Sequence, residues 1–307
     1  MVFAIIIIVL LIALLAGLFV VYYRAFYSPH RGDDEIEVKP FLKDEKQFND
    51  ILRRAKMLSQ RPCRRVYTRS YDGLRLSGRY YHRADNAPTC ICFHGYRGSP
   101  LRDFGVMGMF LQDEGYNVLI VDQRAHFRSG GHTITFGIRE RRDVLSWIAY
   151  INKHRGDNPI YLFGISMGAA TVAMAADLDL PANVKLIAAD CPYSSPGDII
   201  FHVCRRSYKF PKLAWLFVLL SALVYGHLII RNDITCVNAV KHTKVPVLLV
   251  HGEEDSFVPA SMSEEIRAAN PDMTERHTFP GAVHGVSYYS DPDRYIAIVR
   301  DFIKRNG

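Results

Sequence analysis

The chain opens on an unbroken apolar run. Residues 2–23 carry no charge over 22 positions, enough to span a bilayer as a helix. Tyr22, Tyr23 and Tyr27 suit an interfacial aromatic belt, and Arg24 closes the span. A cleaved signal peptide would need a basic segment before the run, a shorter apolar core and a small-x-small site after it. No Lys or Arg precedes this run and Tyr-Tyr-Arg follows it, so it reads as a retained anchor. Arg24, Arg31, Lys39, Lys43 and Lys46 come after it. By the positive-inside rule, the body then faces the cytoplasm from a single-pass anchor in the cell membrane.

The pattern then changes period. Residues 28–39 are a polar linker. Over 40–59, Phe41, Phe48, Ile51, Leu52 and Leu58 recur at helical spacing. Residues 66–68 and 74–81 alternate across Asp72-Gly73, which predicts an antiparallel hairpin at a sheet edge. Apolar strands follow at 89–93, 116–121, 160–163, 185–189 and 245–250, with a last strand at 275–279. Helices separate them; over 138–154, Val144, Leu145, Trp147, Ile148 and Ile151 share one face. The alternation predicts an α/β fold: a mostly parallel eight-stranded sheet with helices on both faces. Ligands bind at the carboxyl ends of such strands. The expected organisation is an anchor at 1–24, a linker and helix at 25–60, and a catalytic body at 61–307.

Composition sharpens this picture. A net charge of +7 and a pI near 9.0, beside an apolar anchor, point to anionic lipid headgroups as a partner. Nothing in the chain resembles a nucleic-acid motif. The six cysteines show no metal-ligand spacing and no disulfide framework. Cys90 and Cys92, two apart in an apolar strand, read as buried thiols. No metal or organic cofactor is implied.

The candidate chemistry centres on Gly164-Ile165-Ser166-Met167-Gly168, set between an apolar strand and an Ala-rich helix. A tight strand-turn-helix exposes the serine at its apex, and glycines are needed where a side chain would strike the neighbouring strand or helix. A serine hydroxyl is a weak nucleophile at neutral pH and needs a base. His284, on the loop after the last strand, is the candidate base and later the acid for the leaving group. Asp255, after strand 245–250, would fix its tautomer. Glu253 and Glu254 are rival acids; the shorter Asp255 side chain better suits a close, fixed contact. The order Ser166, Asp255, His284 is the one expected of a serine elbow in a doubly wound sheet. The oxyanion hole would be the Met167 N–H and the Tyr96 N–H, the latter from His94-Gly95-Tyr96-Arg97-Gly98-Ser99. His94 reads as a structural cap of that loop.

These motifs resemble the α/β-hydrolase superfamily over residues 60–305, and within it the bacterial branch related to serine aminopeptidases and acylglycerol lipases. They are His94-Gly95-Tyr96-Arg97-Gly98, Gly164-Ile165-Ser166-Met167-Gly168, His251-Gly252-Glu253-Glu254-Asp255 and the His284 loop. The stretch from Asp122 to Gly131 matches that superfamily's D-x-R-G-x-G-x-S loop, with Ala125 and Phe127 in place of glycines, an exchange expected to narrow the site. The resemblance implies structural roles for Asp122 and Arg124, and hydrolysis of an ester, thioester or amide. It also implies a cap inserted before the last two strands, at about 194–240. In that segment, residues 213–230 form an 18-residue run without a formal charge. One membrane crossing there would separate Ser166 from Asp255 and His284, so the run must be a buried or interfacial cap, giving the pocket an apolar roof. The basic and aromatic residues of 201–212 suit a surface on anionic headgroups. The reading is therefore a serine hydrolase of small acyl or lipid-like carboxylic esters. Its alternatives are a serine aminopeptidase-like peptidase, a thioesterase, or a non-catalytic membrane scaffold. A peptidase would need an acid in the cap for the substrate amine, and Asp198 is the one acid there between 194 and 232.

Overall fold

A computed structural model describes residues 1–29 and 44–307. Most of the expected linker, and the first turn of the helix expected at 40–59, lie outside the described residues. The elements run α1 (Val2–Ala25), α2 (Glu45–Ser59), β1 (Arg64–Arg69), β2 (Arg75–Tyr81), β3 (Thr89–Phe93), α3 (Pro100–Asp113), β4 (Asn117–Asp122), α4 (Glu140–Arg155), β5 (Ile160–Ile165) and α5 (Met167–Met174). Then follow β6 (Val184–Asp190), α6 (Pro196–Ser207), α7 (Pro211–Gly226), α8 (Cys236–Lys241), β7 (Val247–Gly252), α9 (Ala260–Ala269), β8 (Thr274–Phe279), α10 (Ser287–Ser290) and α11 (Pro292–Asn306).

The eight strands form one sheet in the order β1-β2-β4-β3-β5-β6-β7-β8. The hairpin β1–β2 joins β4 antiparallel, and every other pairing is parallel. Strands β3, β4 and β7 are buried along their whole length, as a sheet covered on both faces requires. One face packs on Trp147, Val144 and the Ala-rich α5. The other packs on Phe104, Leu58, Tyr295 and Phe302. Helices α2 and α3 cross closely: a Cβ on Gly105 would lie 2.8 Å from the Ala55 nitrogen. Ser99 and Ser195 cap α3 and α6 from the position before a proline, a strong start signal.

Helix α1 is long and apolar enough to cross a membrane, by length and composition. Its first four turns are exposed, but its carboxyl end enters the body: Leu18, Tyr22 and Phe26 are buried. The Tyr22 hydroxyl lies 2.7 Å from Thr133 Oγ1, and the Ile134 N–H donates to the Phe26 carbonyl at 2.8 Å. Helices α6, α7 and α8 are inserted before the last two strands, with α7 alongside α1. There the Tyr225 hydroxyl donates to the Leu15 carbonyl at 2.8 Å, and the Phe19 and Tyr225 rings meet edge-on at 5.4 Å.

Candidate active site

Strand β5 turns into α5 at Ser166, which holds φ 54° and ψ −117°, a strained backbone for a non-glycine residue. The flanking glycines permit the turn. A Cβ on Gly164 would lie 2.3 Å from the Gly168 carbonyl oxygen, and one on Gly168 only 1.8 Å from that of Phe93. The Ser166 N–H donates to the Asp190 carbonyl at 2.8 Å, tying the elbow to β6.

Three side chains distant in sequence meet here. Ser166 Oγ lies 2.9 Å from His284 Nε2, and His284 Nδ1 lies 2.6 Å from Asp255 Oδ2. With Nδ1–H donating to the carboxylate, Nε2 is free to accept the serine proton. Asp255 is buried, and its Oδ1 accepts the N–H groups of Phe257 (2.9 Å) and Val258 (2.8 Å). Burial opposes its charge, but hydrogen bonds from His251 and His284 outweigh that and hold its pKa well below the usual carboxylate range. The buried His251 imidazole also donates to the Val258 carbonyl at 2.9 Å. Gly252 lets the acid and histidine loops approach: a Cβ there would lie 2.3 Å from the Ala282 carbonyl oxygen. The rival acids point elsewhere. Glu253 accepts from Thr278 Oγ1, and both glutamates are exposed.

The loop after β3 lies over the serine; a Cβ on Gly95 would sit 3.4 Å from Ser166 Cβ. Met167 opens α5, so its N–H lacks an intrahelical acceptor. The Tyr96 N–H finds no acceptor among the described residues. His94 Nδ1–H donates to the Gly95 carbonyl at 2.8 Å, while Nε2 accepts from the Gln123 N–H at 3.1 Å. Burial lowers the pKa of His94 to about 4, so the ring is neutral. Asp103 Oδ2 accepts the Gly95 N–H at 2.8 Å. The Tyr96 ring stacks on Phe136, and its hydroxyl reaches the Ala25 carbonyl.

Beside Ser166 lies a cavity of about 930 Å³. Its walls include Ile51 of α2, Val106 and Met107 of α3, and Phe257. Here the expected apolar roof is corrected. Among the described residues, the inserted helices give the cavity only Arg206, while α7 packs on α1 and α6. The expected narrowing by Ala125 and Phe127 is also corrected, since neither lines the cavity. Both keep a left-handed backbone, φ 62° and 46°, at roughly 1 kcal/mol or more each. Arg124 is buried and forks onto Asp143 at 2.7 and 2.6 Å, and Asp122 pairs with Arg65 at 2.9 Å.

Sequence reasoning missed two neighbours at the end of β6. Asp190 accepts from Tyr295 Oη (2.9 Å) and Ser287 Oγ (3.3 Å). Burial raises its pKa to about 6 against the hydrogen bond from Tyr295. Cys191 places its sulfur, with one atom each of Asp255 and His284, inside a 4.8 Å cluster. A position at the carboxyl end of a central strand was the available signal for both.

The profile of a family described as alpha/beta hydrolase fold matches residues 88–214. The uncharacterized protein YqkD of Bacillus subtilis is 28% identical over 228 residues, 73% of this chain and 74% of that protein. Lysophosphatidylserine lipase ABHD12 of Rattus norvegicus is 26% identical over 196 residues, 60% of this chain. The chain matches 45% of that lipase's length. Among solved structures, esterase Pf2001 of Pyrococcus furiosus superposes with a TM-score of 0.65 at 22% identity, covering 91% of this chain and 99% of that one. Est1E of Butyrivibrio proteoclasticus, with ferulic acid bound, gives 0.61 at 21% identity, covering 78% and 98%.

Proposed function

We propose that this chain, an α/β hydrolase by fold, is a membrane-anchored serine hydrolase of carboxylic esters with acyl or lipid-like groups. The observation that carries the proposal is the pair of hydrogen bonds in series, Ser166 to His284 at 2.9 Å and His284 to Asp255 at 2.6 Å. Ser166 Oγ attacks the ester carbonyl carbon as its proton passes to His284 Nε2. Asp255 stabilises the imidazolium. The carbonyl oxygen takes up negative charge facing the N–H groups of Met167 and Tyr96. Collapse breaks the bond to the alcohol oxygen, which leaves with the proton from Nε2. Water then repeats the sequence on the acyl-enzyme, releasing the acid and restoring Ser166.

Lipid-like substrates are supported by the surroundings. The loop over Ser166 touches the carboxyl end of α1. On α7, beside α1, Leu213, Leu216 and Leu223 are exposed, a face suited to the headgroup and acyl boundary. Retention of the anchor is supported by Leu18 and Tyr22, which are buried in the fold and would be lost with a cleaved segment. We assign 1–24 to the anchor, 25–60 to a linker and helix, and 61–307 to the body with its cap. The basic residues after α1 support a cytoplasmic face for the body. An aminopeptidase is less well supported, because Asp198 is held by Ser195 as the cap of α6.

The test is hydrolysis of p-nitrophenyl esters over a chain-length series, alongside aminoacyl-nitroanilides, by the full chain in micelles. Ser166→Ala should lower kcat by about 10⁴-fold or more and abolish labelling by a fluorophosphonate. Parent-like ester cleavage by Ser166→Ala would refute the proposal, and faster nitroanilide turnover would move it to the peptidases.

A further inference from the structure

The carboxyl end of a helix leaves its last carbonyl groups without intrahelical donors. In α1 one loop meets them. The Arg97 guanidinium donates to the carbonyl oxygens of Tyr23 (3.3 Å), Arg24 (2.9 Å) and Tyr27 (2.7 Å). The Tyr96 hydroxyl donates to that of Ala25 (2.8 Å). The Tyr22 carbonyl takes the N–H groups of Phe26 and Tyr27. A cation at this end also complements the helix dipole.

The capping loop is the one that lies over Ser166. Between the Gly95 contact with Ser166 and the Arg97 cap of α1 sits a single residue, Tyr96, whose N–H is the proposed second oxyanion donor. Arg97 holds a left-handed backbone, φ 50°, which glycine would adopt more readily. Its N–H donates to His126 Nε2 at 3.2 Å. An arginine at such a position is explained by what its side chain reaches.

We propose that Tyr96 and Arg97 are positioning residues. By capping the carboxyl end of α1 they set the backbone of the 94–98 loop, so that the first helix holds the oxyanion pocket in register with Ser166. The inference rests on the serine-hydrolase reading above. A donor aimed at the developing oxyanion acts mainly in the transition state, so disturbing it lowers kcat and leaves KM largely alone. Removing one such donor outright costs about 10²–10³ in kcat; a displaced donor should cost less.

The experiment uses the full chain in detergent micelles with four variants: Arg97→Ala, Arg97→Lys, Tyr96→Phe and Thr133→Val. The last removes the bond to Tyr22 and leaves the loop contacts intact. Each is assayed for kcat and KM on a medium-chain p-nitrophenyl ester, for fluorophosphonate labelling rate and for thermal unfolding. Arg97→Ala should lose about 10-fold or more in kcat, with KM within about 3-fold and labelling slowed in parallel. Arg97→Lys should recover part of the loss, since an ammonium can still reach one or two carbonyl groups. Thr133→Val should lower the unfolding temperature while keeping kcat within about 2-fold of the parent. Parent-like kcat in Arg97→Ala would overturn the proposal. So would an equal kcat loss in Thr133→Val, because that would make the effect one of general loosening. If Arg97→Ala does not fold, Tyr96→Phe decides: a kcat drop of about 3-fold or more supports the proposal, and no drop overturns it. Ser166→Ala in the same preparation separates the two readings. If that variant keeps activity, the serine-hydrolase reading fails first; if it is inactive while Arg97→Ala is normal, only the positioning role fails.

Discussion

Asp190→Asn should stabilise the protein, and by an amount that depends on pH. The carboxyl is 6% exposed and faces two hydroxyls, with no cation in hydrogen-bond contact among the described residues. Burial lifts its pKa from 3.8 to about 6. Below pH 3.8 the group is protonated in both folded and unfolded chains, so its full contribution to folding is present. Between 3.8 and 6 the unfolded chain gives up the proton while the folded one keeps it, and stability falls as pH rises. Above about 6 the penalty is constant, at about 2 pH units or about 3 kcal/mol. Asparagine carries no such proton, and the Tyr295 and Ser287 hydroxyls can turn to serve its amide. Any change in those hydrogen bonds is the same at every pH, so the readout is the slope of the difference between variant and parent. Acid loss of the Asp255 contribution, whose sign is opposite because its pKa is depressed, occurs in both proteins and cancels. Chemical unfolding of both full chains at intervals from pH 3.5 to 7.5 should show the variant gaining about 3 kcal/mol across the range. In thermal unfolding that is an extra 6–12 °C or so near neutrality. A difference that stays flat from pH 3.5 to 7.5 would refute the argument, because the carboxyl would then ionise as it does in water.

Two further substitutions probe the framework. Gly168→Ala places a Cβ 1.8 Å from the Phe93 carbonyl oxygen, and two backbones would have to separate, so no folded, fluorophosphonate-reactive protein should be recovered; a soluble reactive variant would contradict the elbow geometry. Phe26→Ala removes a fully buried ring at the end of α1 and should lower stability by about 3–5 kcal/mol in thermal or chemical unfolding; a loss under about 1 kcal/mol would mean that α1 is not packed into the body.

Much of the architecture could be read from the chain because each buried strand is short, β-branched and bracketed by turn residues. The strand expected from 245 begins at Val247, since Pro246 has no N–H to give the ladder and supplies only its carbonyl, to Ile187. The convergence of Ser166, Asp255 and His284 could be read from the chain because strand ends fix where loops meet. The position of α7 was not. Both α1 and α7 are apolar on every side, so neither carries a stripe to say which face is covered. Their pairing joins residues far apart in the chain, as where Tyr225 reaches Leu15, 210 residues away. The exchange of glycine for Ala125 and Phe127 misled for a related reason. A residue type suggests a backbone conformation but does not force it, and the surrounding loop holds both residues at positive φ.

The two outermost strands carry a last consequence. An open sheet presents bare peptide groups along each rim, where another chain could add itself. Here β1 reads Arg64-Arg65-Val66-Tyr67-Thr68-Arg69, and β8 carries Glu275, Arg276 and His277. Arginines on one rim and mixed charges on the other make strand addition electrostatically and sterically unfavourable. Charge along both rims guards the sheet against extension by a second copy of the chain.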